Sequence, residues 1–229
     1  MAKSDNPERE SRILDAAAAL FIHFGVDKTT VSDIARDAGI SKGAIYLHFQ
    51  SKDELLEALL RRELKTYAET WLRLLDADPQ GGTIGGMYKN MLYALSGSDF
   101  MAAMFRQDGR VLGSYLRKPG NLLLSGQMNR ARRLEFVRMM QEAGAIRQDI
   151  DAGVIAHIMN MLLYSLVAMN VVPDDETPPT ADVIEGIAVL MDSALVPADG
   201  VVRDIGKEVV QQIADAARQR SILKGNHND

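Results

Sequence analysis

Four hydrogen-bond donors, Lys42, Tyr46, His48 and Lys52, fall within eleven positions of the stretch TTVSDIARDAGISKGAIYLHFQSKDEL, residues 29–55. They lack the neighbours that a reaction would require. The 229 residues include no cysteine, and the four histidines are scattered with no pair at helical ligand spacing, so neither a catalytic group nor a metal site is expected. Such donors can instead hold a polyanion. Lys42 can donate to guanine O6 or N7, Ala44 and Leu47 can touch thymine methyls, and Gly43 lets the backbone come close to base edges. Tyr46, His48 and Lys52 can donate to phosphates, as can the hydroxyls and amides of Thr29, Thr30 and Ser32 at the start of a helix.

Singly, each residue has a plainer reading: Tyr46 as a core tyrosine, His48 as a surface histidine, Lys52 as a solvated lysine. Their coincidence with short, sharply punctuated helices is what points to DNA. Ile13, Leu14, Ala17, Leu20, Phe21 and Phe24 form one stripe of a helix that Gly25 ends. Thr30, with Asp33 three positions on, caps a second helix, which Gly39 closes after two turns. Ser41 caps a third, expected from Lys42 to Phe49. Helices this short are marginal alone, so the three must pack around Leu20, Phe21, Phe24, Ile34, Ile45 and Phe49. Ile45 and Phe49 then face inward, and Lys42, Gly43, Ala44, Tyr46 and Leu47 look out. Ser51 caps a fourth helix with Lys52 in its first turn, where a cation opposes the helix dipole and calls for an external anion.

Net charge is −5 and the isoelectric point near 5.4, so the surface as a whole is no polyanion grip. Residues 1–50 hold six Lys or Arg against seven Asp or Glu, which makes position, not bulk charge, the argument for DNA.

The segment ILDAAAALFIHFGVDKTTVSDIARDAGISKGAIYLHFQSKDELL resembles the N-terminal domain of the tetracycline-repressor (TetR) family of bacterial transcription regulators. The resemblance covers about the first 60 residues. It lies in the alanine-rich first helix ending at Phe24-Gly25, in Thr29 to Ala35, in Ala38 to Gly43 and in Tyr46 to Lys52. It implies base reading by Lys42, Gly43, Ala44 and Leu47 and backbone contacts by Thr30, Ser32, Tyr46, His48 and Lys52. Leu47 stands where the family commonly has an aromatic residue, which implies an apolar contact.

The rest of the chain shows helical periodicity throughout, without strand alternation. The fourth helix carries an apolar stripe over some 26 residues, and tracts follow at 84–96, 99–116, 121–143, 151–171, 180–195 and 201–222, with Asn121 and Asp151 as candidate starts. An all-α fold is expected: a three-helix helix-turn-helix DNA-binding domain over 1–53, and a helical-bundle ligand-binding and dimerisation domain over 54–229. Residues 151–199 contain no Lys or Arg, and the run from Ala152 to Pro173 is uncharged. His157, Asn160, Tyr164 and Asn170 inside that run favour a bundle helix over a membrane span. His157, Asn160 and Tyr164 share one stripe and are candidate ligand-pocket residues, with an interface or core role as the plainer alternative. Arg130, Arg132, Arg133 and Arg138 read as a solvated face. The N-terminus lacks the apolar run of a signal peptide, so a cytoplasmic location without membrane attachment is expected.

GGTIGG lacks dinucleotide-loop spacing, and GVVRDIGKE is one residue too long for a phosphate loop, so neither an enzyme nor a cofactor is expected. The reading is a ligand-responsive regulator, a homodimer released from a palindromic double-stranded DNA operator by a small-molecule effector. The alternative is an interaction module of the same fold that has lost operator binding.

Overall fold

The computed structural model describes residues 7–121, 130–169, 178–197 and 205–213, and every regular element among them is helical. The elements are α1 (Pro7–Phe24), α2 (Val31–Asp37), α3 (Lys42–Tyr46), α4 (Lys52–Ala77), α5 (Ile84–Ser96), α6 (Asp99–Arg106), α7 (Gly109–Leu112), a 3-10 turn at Gly113–Arg117, α8 (Arg130–Glu142), α9 (Ala152–Met169), α10 (Thr180–Leu195) and α11 (205–213). They divide into two compact units, one of residues 1–68 with 95–129 and the other of 69–94 with 130–229. Helix α4 contributes residues to both.

In the first unit the stripe of α1 behaves as its spacing predicts at Ile13, Leu14, Ala17 and Phe21, all buried. Phe24 does not. It is 52% exposed, its ring edge-on to His23, because the helix ends there and Gly25 turns the chain away at φ 86°. Val26 takes the core place instead, 3% exposed. The expected single helix over 99–116 is broken at Gln107, whose left-handed φ of 52° ends α6. Asp108 then caps α7 by accepting from the Arg110 amide at 2.9 Å. Asn121 is the last described residue before 122–129, where the helix expected from it would begin and which lie outside the described residues. Its buried side chain donates to the carbonyls of Tyr115, Leu116 and Lys118, closing the turn before it.

The second unit joins α5 to α10 through a carboxylate. Asp192 accepts from the Gly85 amide and from the Thr83 hydroxyl, each at 2.7 Å, which places negative charge at the positive end of α5. Tyr88 is buried and donates to the Met159 carbonyl at 2.7 Å; burial pushes its hydroxyl far above the ordinary value, while the Arg133 charge pulls the other way. Of the four arginines read as a solvated face, Arg133 is half-buried and Arg138 exposed, and the side chains of Arg130 and Arg132 lie outside the described residues. Asp151 opens α9 as expected, accepting from the amides of Gly153 and Val154. Gly144, at φ 76°, follows the end of α8. Of the tract expected at 201–222, residues 205–213 are helical and the remainder lies outside the described residues, as do 170 and 171 at the end of the 151–171 tract. Among the described residues no helix is long and apolar enough to cross a membrane.

The approach of α5 to α10 is close enough to test. A Cβ at Gly85 would sit 2.2 Å from the Ala188 carbonyl oxygen, so Gly85→Ala should destabilise the protein by about 1–3 kcal/mol in urea unfolding. An unchanged midpoint would contradict this packing.

Candidate nucleic-acid interface

Two capped turns set the helix-turn-helix. The Thr30 hydroxyl accepts from the Asp33 amide at 3.2 Å, and the Asp33 carboxylate accepts from the Thr30 amide at 3.1 Å and from its hydroxyl at 2.6 Å, a complete capping box. The Thr30 hydroxyl, then its amide, hold the Asp33 carboxyl below its ordinary value of 3.8. The cap is thus fully formed above that value and is lost as pH falls through the lowered one. Ser41 opens α3 by accepting from the Ala44 amide at 3.1 Å. Helix α3 stops at Tyr46, three residues earlier than expected, and the amides of His48 and Phe49 share the Ile45 carbonyl at 2.9 Å in its closing turn.

Ile45 is buried and Phe49 nearly so, and together they fix the rotation of α3. Lys42, Gly43, Tyr46 and Leu47 are exposed, Leu47 at 77%, while Ala44 and His48 are half-buried. The Lys42 ammonium lies 6.0 Å from the Tyr46 ring centre, so the two share one outer face. Thr30 and Ser32 are exposed at the start of α2.

Two anion-directed assignments change. Thr29 is 2% exposed, and its hydroxyl donates to the Gly25 carbonyl at 2.8 Å, so it closes the α1–α2 turn and does not face solvent. Lys52 needs no external anion to explain its place in the first turn of α4. Its ammonium donates to the carbonyls of Val26 at 2.7 Å and Thr29 at 3.0 Å, tying α4 to the same turn. A third N–H is left for a phosphate. Ser51 caps α4 through the Glu54 amide, and Glu54 reaches back to the Gln50 amide at 2.7 Å.

The candidate pocket residues lie on one stripe of α9. His157 and Tyr164 are exposed and Asn160 half-buried, because this stripe of α9 lies alongside the exposed Val154, Ile158 and Met161. A cleft of about 310 Å³ lies elsewhere in the second unit, between α8 and α11, lined by Met139, Glu142, Ile205 and Val209 among others. No group of three or more His, Asp or Glu among the described residues could hold a metal ion.

Residues 13–59, which span α1 to the second turn of α4, match the family model of bacterial regulatory proteins of the tetR family. Residues 13–59 are thus a tetR-family domain. Over 160 residues it is 28% identical to the HTH-type transcriptional repressor Rv1474c of Mycobacterium tuberculosis, covering 70% of this chain and 81% of that protein. Over 90 residues it is 37% identical to the HTH-type transcriptional regulator TtgR of Pseudomonas putida, spanning 39% of this chain and 42% of that protein. The crystal structure of the transcriptional regulator FadR from Bacillus subtilis, in complex with stearoyl-CoA, superposes with a TM-score of 0.58 at 20% identity, covering 79% of this chain and 96% of that one. The likeness of fold to that structure thus extends beyond the matched residues.

Inward and outward residues of the tetR-family α3 should separate in stability measurements. Ile45→Ala should cost about 2–5 kcal/mol, whereas Leu47→Ala should stay within about 0.5 kcal/mol. Comparable losses for both in thermal unfolding would contradict the orientation of α3.

Proposed function

We propose that the chain is a homodimeric, ligand-responsive regulator that reads double-stranded operator DNA with α3. The observation that carries the reading is the outer face of α3, where Lys42, Gly43 and Leu47 are exposed around the inward anchor Ile45. Lys42, Gly43, Ala44 and Leu47 meet base edges, and Thr30, Ser32, Tyr46, His48 and Lys52 meet the phosphate backbone.

One helix this short reads too few bases, so a second copy must supply the adjacent half-site about 34 Å away. The second unit offers a surface for it. Val154, Ile158, Met161 and Tyr164 on α9 and Val189 and Leu190 on α10 are exposed apolar or aromatic side chains, the kind of face that a second subunit covers. These are the helices that the family resemblance assigns to a four-helix dimer contact, and His157 lies on the same face of α9. Effector binding shifts the dimer toward a state whose two α3 helices no longer match operator spacing, giving repression that a small molecule relieves. The stearoyl-CoA in FadR is a precedent for a ligand of that size in this fold.

Binding to a labelled duplex from the region upstream of the protein's own gene tests the reading. Affinity should fall steeply with added salt, and Ala44→Glu should abolish specific binding at unchanged melting temperature. Ile158→Glu with Leu190→Glu should give a monomer by light scattering and lose operator affinity. Salt-independent binding, or a dimer that survives both charges, would contradict it.

A further inference from the structure

We propose that Arg117 and Lys118, more than 60 residues beyond the helix-turn-helix, belong to the DNA-binding surface, offsetting acidic groups of the head and adding phosphate-attracting charge beside α4. The inference rests on the DNA-binding reading above and extends its surface to a segment outside the matched domain.

Charge raises the question. Residues 1–53 carry seven Lys or Arg against eight Asp or Glu, the wrong balance for a module that must approach a polyanion. Residues 106–118 carry four against one, Arg106, Arg110, Arg117 and Lys118 against Asp108. Counted together, the two segments are net positive.

Geometry joins them, since both lie in the first compact unit. The Val26 amide donates to the Val111 carbonyl at 2.8 Å. Asp27 accepts from the Ser114 amide at 3.0 Å and from its hydroxyl, and the Arg110 guanidinium donates to the Ile22 carbonyl at 3.3 Å. Gly25 passes so close to this segment that a Cβ there would lie 2.4 Å from the Arg110 carbonyl oxygen. The turn carrying the two cations is itself fixed, by the three hydrogen bonds of the buried Asn121 and by Gly120 at φ 69°.

Lys118 is paired with an acid of the head, and Arg117 acts on another through its field. The Lys118 ammonium sits 2.9 Å from the carboxylate of Asp53, the residue next to Lys52 in the first turn of α4. Arg117 is exposed and acts electrostatically on Asp27, whose carboxyl is held below its ordinary value first by the Ser114 hydroxyl and then, among smaller causes, by Lys52 and Arg117. Lys118 is 41% exposed and Asp53 54%, so the pair contributes through its field at the surface and not through buried contact. At physiological salt that field reaches roughly 8 Å, far enough to act on a phosphate at the start of α4.

The test uses the full chain and a labelled duplex from its own upstream region, titrated between about 50 and 300 mM KCl, where each phosphate contact adds about 0.9 to the slope of log affinity against log salt. The Arg117→Gln, Lys118→Gln double variant should lower that slope by about one to two, weakening specific and non-specific duplexes alike. Arg117→Gln alone, at an exposed position, should lower it by about half as much, and Lys118→Arg should preserve it. A double variant with wild-type melting, affinity and slope overturns the inference. If Ala44→Glu releases the duplex while the double variant does not weaken it, only this inference falls. If the wild-type chain shows no salt-dependent DNA binding, the underlying reading falls and takes the inference with it.

Discussion

Everything at the DNA face depends on the burial of Ile45. A helix of five residues has almost no stability of its own, since the cost of nucleating it is spread over a single turn. Ser41 fixes where it begins, the Ile45 carbonyl shared by the His48 and Phe49 amides lies in its closing turn, and the Ile45 side chain fixes how it is rotated. With those three settled, Lys42, Tyr46 and Leu47 have nowhere to go but outward. Rotating α3 by one position would bury a polar or bulky group in a close-packed core.

The core that receives Ile45 is assembled around the α1–α2 turn. Gly25 takes a left-handed conformation, Thr29 hydrogen-bonds back across the turn, and Lys52 donates to two of its carbonyls. A lysine in this role is a structural tie as well as a charge, and the same turn receives Val111 and Ser114 from far along the chain. The head is therefore held by long-range packing as well as by its own three helices. This links the helices proposed to read DNA to a segment whose sequence carries no such signature.

Local signals were the legible ones. Thr30, Asp33, Ser41 and Ser51 act on amides three residues away, so their caps could be read from spacing alone, and so could most of the stripe of α1 up to Phe21. Misreadings arose where a distant neighbour decides the outcome. Phe24 continues the periodicity but lies at the exposed end of α1, while Val26, off the stripe, is buried. Thr29 looks like an anion donor in sequence, yet a carbonyl of its own turn claims its hydroxyl, and Lys52 also ties two carbonyls of that turn. The polar stripe of α9 illustrates the same limit in the second unit. His157 and Tyr164 fall on a face whose role is set by what covers it, and the helix pattern alone does not distinguish a cavity wall from a subunit contact. The break at Gln107 was hidden because one left-handed residue interrupts an otherwise continuous apolar tract.

The central claim is that two copies of α3 are presented together to one face of a duplex. Hydroxyl-radical footprinting of the full chain on the DNA upstream of its own gene addresses it directly. Two protected patches should appear on the same face, related by a dyad and centred about one helical turn, or a whole multiple of turns, apart. A single unpaired patch, or protection with no dyad, would contradict the account.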